Sequence, residues 1–236
     1  CNGDDDLLRA MTCRQRKVTF GLSAGCDVRA VDVRDLGDGG STCTIVAGTR
    51  RIPVRIRAYG QHMVYAALEG AAVGIEYGLT DDEIIRGIAA YQPVGSRANV
   101  VRTARYTVID DCYNANPDSM KAALAMFKEY PCKRRFALLG DMLELGGMSA
   151  PAHEELGRQA AEAGLTALVT YGPEAARTAR AAKDAGLADV VHAKDYQQAA
   201  DALLARMAPG DALLVKASRG MALEKALALF YPVCAK

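Results

Sequence analysis

Strand-like apolar runs alternate with helix-like segments from about residue 98 to the end of the chain. Helices are predicted at 117–130, 150–164, 173–186, 195–208 and 219–230. Parallel strands need a long crossover connection, which is usually a helix, so this alternation predicts βαβ units. We therefore expect an α/β fold with a Rossmann-like, doubly wound and mostly parallel sheet, whose strands read RYTVIDD, RFALLGD, ALVTYG, DVVHA and DALLVKAS.

The first part of the chain has a different pattern. Four short strand-like runs are separated by turns, and DLGDGGS at 35–41 is typical of a hairpin loop: the runs are KVTF, DVRAVDVR, TCTIVAG and RIPVRIR. Charged residues alternate with apolar ones in two of them, so we expect a sheet with one solvent-facing side. Helices are predicted at 61–77 and after Thr80, where Glu83 completes a capping box. The pattern breaks at QPVGSRAN, which predicts two domains, 1–97 and 98–236.

The composition argues against several kinds of partner. With a formal net charge of +1, no Trp and no apolar run near the roughly 20 residues of a membrane span, we expect neither a nucleic acid nor a membrane partner. The seven cysteines form no C-x-x-C pair and the three histidines lie far apart, so we expect a reducing, cytoplasmic compartment and no metal site. The start, CNGDDDLLRA, lacks Met and has the character of a domain interior, so we expect a fragment.

In doubly wound sheets, ligands bind beyond the carboxyl ends of the strands, so the loops after strands are the candidate sites. In DDCYNANP, Asn116 and Pro117 have a structural explanation, an N-cap followed by proline at the first helical position. That explanation leaves Asp110, Asp111 and Asn114 open. An acidic pair at a strand end is more often a turn former than a ligand, although a carboxylate there can bind ribose hydroxyls.

Two further strand-end loops carry charges. In GDMLELG, Asp141 and Glu144 either form a turn or face the same site as the acidic pair. In VKASRG, Lys216, Ser218 and Arg219 precede a helix. Cations at a helix N-terminus oppose its macrodipole, which favours an anionic ligand such as a carboxylate or phosphate. The chain contains no Walker A sequence, and these residues alone name no reaction.

Four segments of the second region resemble the Mur ligase family, most closely its MurF type: DDCYNANPDSMKAAL, LLGDMLELG, HEELGRQAAEAG and LLVKASRGMALEKAL. In the first region, CNGDDDLL and YGQHMVYAALEGAAVG resemble segments of the family's central domain. The resemblance implies that 1–97 is the strand-rich and helical end of a P-loop ATPase domain. It also implies that 98–236 is the C-terminal Rossmann-like ligase domain. The P-loop and most ligands of Mg²⁺ would then lie upstream.

The resemblance implies an ATP-dependent amide ligase of peptidoglycan precursor synthesis, located in the cytoplasm. Such an enzyme joins D-alanyl-D-alanine to UDP-N-acetylmuramoyl-tripeptide, with ATP and Mg²⁺. The substrate carboxylate attacks the γ-phosphate, and the acyl phosphate supplies the leaving group that a carboxylate lacks; the amine then displaces phosphate. We expect a monomer, and we expect this fragment to be inactive alone, with none of its residues assigned to the chemical step.

The resemblance also implies roles for residues near the nucleotide. Asp111 matches the carboxylate that binds the ATP ribose, and Arg97 matches the arginine that reaches the phosphates. His62 is kept from the helix motif GxHNxxNALAA, and we assign it to the ATP site. Met63 and Ala66 stand where that motif has two Asn residues that contact adenine, so we expect adenine recognition to be looser or to use backbone groups.

On the substrate side, Asn114 and Asn116 match the MurF signature loop and would line the closed cleft. Lys216, Ser218 and Arg219 match the loop that we expect to hold the carboxylate of the dipeptide. Further possible cleft residues are Asp110, Tyr113, Asp141 and Glu144.

Two alternatives stay open. One is another amide ligase of the superfamily, of the MurE or folylpolyglutamate type, although the DNPR motif typical of the MurE type does not occur in the chain. The other is a non-catalytic Rossmann-like module that binds a nucleotide or a peptide. The sequence does not determine the third residue of the acceptor tripeptide.

Overall fold

The computed structural model describes residues 1–58, 60–91 and 99–234. The chain divides into two compact units, 1–92 and 93–236. Each unit has its own sheet and its own apolar core. Within the described ranges, no helix is long and apolar enough to cross a membrane.

The first unit is a four-stranded sheet with two helices packed against one face. Its elements are α1 (Asp6–Ala10), β1 (Phe20–Gly21), β2 (Val28–Asp35), β3 (Ser41–Ala47), β4 (Arg50–Ile56), α2 (His62–Glu76) and α3 (Asp81–Ala90). The strands lie in the order β1-β2-β3-β4, with β1 parallel to β2 and the other pairs antiparallel. Residues of β4 alternate between buried and exposed, so the predicted solvent-facing side is confirmed.

Two predicted local features of this unit are confirmed. β2 and β3 form an antiparallel hairpin across DLGDGGS. Gly40 has a φ of +84°, and a Cβ there would lie 1.9 Å from the Ile56 carbonyl oxygen, so the hairpin requires glycine. At the start of α3, Thr80 N donates to Glu83 Oε2 (2.9 Å) and Glu83 N donates to Thr80 Oγ1 (3.3 Å), which completes the capping box.

The predicted strand KVTF is wrong for most of its length, because β1 contains only Phe20 of that run. Thr19 N and Thr19 Oγ1 both donate to Asp27 Oδ2, each at 2.8 Å. A side chain therefore takes the amide that a longer strand would have given to a neighbouring strand.

The carboxylate of Asp4 holds together three segments of the first unit. Its Oδ2 accepts from Leu22 N (2.6 Å) and from the Tyr65 hydroxyl (2.8 Å), and its Oδ1 accepts from Ser23 N (3.1 Å). Burial acts to raise the pKa of Asp4, but these hydrogen bonds to the charged form outweigh it and lower the pKa to about 2. Burial and the same carboxylate raise the pKa of Tyr65 to about 12.

We expect Asp4→Asn to lower the free energy of unfolding of this unit by about 1–2 kcal/mol at pH 7, because a charged acceptor of three donors is lost. A carboxyl group whose pKa is lower in the folded state contributes its full stabilisation at pH values above its ordinary pKa of 3.8. The unaltered chain should therefore lose this stabilisation between about pH 4 and pH 2, and the variant should not. Urea unfolding at several pH values measures the difference, with the exposed Asp6→Asn as control. Identical pH dependence of the variant and the unaltered chain would contradict the prediction.

The second unit is a six-stranded sheet with the strand order β5-β6-β10-β7-β8-β9. Its elements are β5 (Asn99–Arg102), β6 (Thr107–Asp111), α4 (Pro117–Glu129), β7 (Arg135–Gly140), α5 (Ser149–Glu162), β8 (Ala167–Tyr171), α6 (Ala175–Asp184), β9 (Val190–Ala193), α7 (Tyr196–Leu204), β10 (Ala212–Lys216) and α8 (Glu224–Cys234). β5 is antiparallel to β6, and the other neighbouring pairs are parallel. The predicted α/β fold with a mostly parallel sheet is confirmed.

The centre of this sheet is closed to solvent. Every residue of β10 is buried, which explains the continuous apolar run before Lys216. Side chains from several strands and from α8 meet in one apolar cluster, which includes Val108, Phe136, Leu213 and Phe230. A cation directly after such a run has to find its partners inside the protein or at the strand end.

Two elements differ from the prediction. β5 is absent from the sequence pattern because NVVR is short; it pairs with β6 across a turn in which Thr103 N donates to the Tyr106 carbonyl oxygen at 2.9 Å. The last helix was predicted from 219, whereas Arg219–Met221 form a 3-10 turn and Ala222 has a φ of +47°. A residue in the left-handed region cannot continue an α-helix, so α8 begins only at Glu224.

Helices α5 and α6 are in close contact at Gly157. A Cβ at this position would lie 2.5 Å from the Thr178 carbonyl oxygen and 2.6 Å from Ala181 Cβ. Beside this contact, Thr178 Oγ1 donates to the His153 carbonyl oxygen at 2.9 Å. The absence of a side chain at Gly157 thus sets how closely the two helices pack.

We expect Gly157→Ala to lower the free energy of unfolding of the second unit by about 1–3 kcal/mol, because overpacking outweighs the gain in helix propensity. Gly87→Ala in α3 is the matched control, since no atom lies within 4 Å of a Cβ there. The control should be neutral or stabilising by up to about 1 kcal/mol. Thermal denaturation compares the two, and an equal rise in stability for both variants would refute the packing argument.

Candidate functional site

The candidate site of the second unit lies where β6 and β10 end. Lys216 and Asp111 are direct neighbours in the register of these parallel strands. Lys216 Nζ donates to Asp111 Oδ2 at 2.6 Å and to the Asn114 carbonyl oxygen at 2.9 Å. The Lys216 side chain is 4% exposed and that of Asp111 is 18% exposed. Two of the residues assigned to different ligands by resemblance thus form a buried ion pair with each other.

Ser218 connects this pair to the loop after β7. Its Oγ donates to the Ala115 carbonyl oxygen (3.2 Å) and accepts from Leu143 N (2.9 Å). Its backbone N donates to the Asp141 carbonyl oxygen at 3.0 Å. The ends of β6, β7 and β10 therefore belong to one hydrogen-bonded network.

Asp141 is buried, and its carboxylate serves a helix. Oδ1 accepts from Ala175 N, the first residue of α6, at 2.6 Å. A Cβ at Gly172 would lie 2.4 Å from this oxygen, so the chain is tightly packed around it. This contact gives Asp141 the structural explanation that the sequence left open. Glu144, by contrast, is exposed with a φ of +64°.

His153 anchors the loop after β7 by accepting a hydrogen bond from Met142 N. This role was not predicted from the sequence. The ring is fully buried; Nε2 accepts from Met142 N at 3.0 Å and Nδ1 donates to the Ser149 carbonyl oxygen at 2.8 Å. The ring is thus neutral with its proton on Nδ1. Because its partner at position 142 is a backbone amide eleven residues away, no spacing in the sequence pointed to this role.

The asparagine loop, residues 112–116, leads into helix α4 and leaves polar groups exposed. Asn116 Oδ1 accepts from Ser119 N (2.8 Å) and Asn116 N donates to Ser119 Oγ (3.0 Å), so the predicted N-cap before Pro117 is confirmed. Tyr113 and Asn114 are exposed beside it. The side chains of Tyr113, Asn114 and Asn116 are exposed, while the carbonyl groups of Asn114 and Ala115 accept hydrogen bonds from Lys216 and Ser218.

Two further predicted residues, Asp110 and Arg219, lie beside the network. Asp110 Oδ1 accepts from Cys112 N at 3.2 Å, and burial together with Asp110 raises the pKa of the Cys112 thiol. Arg219 is 64% exposed, and its Nη1 lies 3.1 Å from Glu224 Oε1. Arg219 is therefore the cation of the VKASRG loop that solvent reaches.

Of the residues assigned to ATP in the first region, Arg97 lies outside the described residues. His62 is the first residue of α2 and is exposed. Met63 and Ala66 border an apolar cavity of about 300 Å³ between α2 and α3, together with Ile88 and Tyr91. Across 1–58, 60–91 and 99–234, no group of three or more His, Cys, Asp or Glu side chains could hold a metal ion.

The second unit is thus a doubly wound α/β domain with a polar network at its strand ends, the class of fold that binds ligands at this edge. Residues 96–219 match the family model described as Mur ligase, glutamate ligase domain. The chain belongs to the Mur ligase family, and the predicted family is confirmed.

The relatives agree with this assignment. The chain is 31% identical over 228 residues to the UDP-N-acetylmuramoyl-tripeptide–D-alanyl-D-alanine ligase of Bacillus subtilis, covering 94% of this chain and 49% of the relative. It is 38% identical over 189 residues to the Mycobacterium leprae ligase of the same name, covering 72% of this chain and 37% of the relative. The chain thus spans about half or less of these relatives.

Solved structures give the same picture. The MurF ligase of Thermotoga maritima, in complex with ADP, matches 98% of this chain and 52% of its own with a TM-score of 0.83 and 27% identity. A MurF structure from Acinetobacter baumannii matches 91% of this chain and 47% of its own with a TM-score of 0.79 and 26% identity.

We expect Asp141→Ala to lower the free energy of unfolding of the second unit by about 1–3 kcal/mol, because the substitution removes the acceptor of a buried amide at the start of α6. Glu144→Ala removes a carboxylate from the same loop, but an exposed one, and should change stability by less than about 0.5 kcal/mol. Chemical denaturation followed by circular dichroism compares the two. Equal effects would refute the anchoring role of Asp141.

Proposed function

We propose that this chain is part of a MurF-type ligase, which uses ATP to join D-alanyl-D-alanine to UDP-N-acetylmuramoyl-tripeptide in the cytoplasm. The observation that carries the proposal is the similarity to relatives with this name across 94% of the chain. The strand-end network supports the proposal, because the MurF-like motifs lie at the carboxyl ends of parallel strands, where folds of this class bind ligands.

The chemistry follows from the poor reactivity of a carboxylate. The tripeptide carboxylate attacks the γ-phosphate of ATP, which forms an acyl phosphate and releases ADP. The amino group of the dipeptide then displaces phosphate to form the amide. The protein contributes by positioning the reactants and by neutralising charge on the phosphoryl group. In this proposal Asp111 binds the ribose of ATP, Arg97 reaches its phosphates, and His62 belongs to the nucleotide site.

The carboxylate of the dipeptide needs a cation that a ligand can reach. We assign this contact to Arg219, which is 64% exposed and presents a guanidinium suited to a carboxylate. Lys216 and Ser218 belong to the same loop but are buried beneath it. Asn114 and Asn116 line the cleft beside them.

Magnesium would supply charge neutralisation at the phosphate groups of ATP in such a reaction. The part of the chain that the structure describes contains no acidic or histidine cluster for it. We assign none of these residues to Mg²⁺, and the steps above involve only binding and positioning by side chains.

The activity is tested in the whole protein that carries residues 1–236, with ATP, UDP-N-acetylmuramoyl-tripeptide and D-alanyl-D-alanine. We expect one phosphate to be released for each amide formed, and only when the dipeptide is present. Use of a single amino acid in place of the dipeptide would favour a MurE-type or folylpolyglutamate-type ligase. Nucleotide binding without any product would favour a non-catalytic module.

The ribose assignment is tested separately by calorimetry. Asp111→Asn should weaken ATP binding about tenfold, because it removes a charged acceptor worth roughly 1.4 kcal/mol to the ribose hydroxyls. Asp118→Asn, an exposed acidic residue in the first turn of α4, is the matched control and should leave binding unchanged. ATP binding that is independent of Asp111 would refute the assignment.

A further inference from the structure

The buried ammonium group of Lys216 is the unusual feature of the strand-end network. We infer that Lys216 is a positioning residue: it sets the orientation of the Asp111 carboxylate and the course of the loop 112–116, and it does not itself contact the ligand. The identity of that ligand, a nucleotide, rests on the proposed function. The positioning role rests on contacts within the second unit.

The ammonium group of Lys216 is less accessible to a ligand than the carboxylate of Asp111. Lys216 Nζ has three N–H donors, and two of them are directed at Asp111 Oδ2 (2.6 Å) and the Asn114 carbonyl oxygen (2.9 Å). With its side chain only 4% exposed, Lys216 lies deeper than Asp111, which is 18% exposed. A ligand therefore meets Asp111 before it can meet Lys216.

The contact with Lys216 orients the carboxylate of Asp111. Lys216 and Asp111 are paired in the register of β10 and β6, so their Cα positions are set by the sheet. The hydrogen bond to Oδ2 then fixes the rotation of the carboxylate, and with it the position of Oδ1. A carboxylate that binds two vicinal hydroxyls depends on this orientation. A residue on another strand thus contributes directly to the alignment of this carboxylate.

The loop 112–116 is held through its backbone carbonyl groups. The carbonyl groups of two successive residues are held from β10 and the segment just after it: Lys216 Nζ binds that of Asn114, and Ser218 Oγ binds that of Ala115. The side chains of Tyr113 and Asn114 stay exposed above these contacts. Lys216 therefore holds the loop by its backbone, and the side chain of Asn114 stays exposed to solvent.

The role is tested by a double-mutant cycle between Lys216→Met and Asp111→Asn, with ATP affinity measured by calorimetry. If Lys216 acts through Asp111, Lys216→Met should weaken ATP binding by up to about tenfold in the otherwise unaltered whole protein that carries residues 1–236, but it should add little in the Asp111→Asn background. A further loss in that background would mean that Lys216 contacts the nucleotide directly, and would overturn the inference. Lys183→Met, a change at an exposed lysine of α6, is the matched control.

The double variant also protects the test against misfolding. Lys216→Met alone leaves a partly buried carboxylate without this partner, and Asp111→Asn alone leaves a buried ammonium group without it, whereas the double variant removes both charges of this pair. If the single variant fails to fold, the comparison of the double variant with Asp111→Asn decides: equal ATP affinity supports the inference and weaker binding refutes it.

A second readout does not depend on any ligand. Amide hydrogen exchange at 112–116 should become at least tenfold faster in Lys216→Met, while the amides of α7 keep their rates. Unchanged exchange at 112–116 would refute the positioning role. Faster exchange together with ATP binding that ignores Asp111→Asn would instead refute the proposed nucleotide site and leave the positioning role standing, so the two failures are distinguishable.

Discussion

The polar network of the second unit depends on where β10 lies. It is the last strand along the chain but the third in the sheet, between β6 and β7. Because both neighbours are parallel to it, three loops meet at one edge. The four apolar residues before Lys216 anchor the strand in the core, and its polar end then joins the loops after β6 and β7.

The network satisfies buried polar groups with one another and keeps a few groups exposed. Lys216 and Asp111 neutralise each other, and Ser218 uses its hydroxyl group as both donor and acceptor. Asp141 and His153 bind backbone amides and hold the loop after β7. A buried charge is tolerated only when it is paired and hydrogen-bonded, so the loss of any one member of this network would leave a buried polar group unpaired at a cost in free energy. Arg219 and the side chains of Tyr113, Asn114 and Asn116 face solvent.

Helix starts and strand ends were predictable where the signal is local. The capping box at Thr80 and the N-cap at Asn116 each involve residues three positions apart, and both were recognised from the sequence. The alternation of apolar runs and helices gave the correct fold class, and the motifs gave the correct family. Two of the errors have different origins: the side chain of Asp27, eight residues from Thr19, shortens the strand KVTF, and the left-handed backbone of Ala222 delays α8.

The sequence by itself determined the order of the elements, the fold class and the loops where polar residues gather, because periodicity, caps and motifs are encoded in neighbouring residues. Only the tertiary structure decided which of these residues meet. Lys216 and Asp111 are 105 positions apart, and Ser218 and Ala115 are 103 apart. Their contacts exist because β10 inserts beside β6, a choice made by the packing of the whole sheet. The same packing separated Lys216, buried and paired, from Arg219, exposed three residues later, although the sequence presented them as equivalent cations.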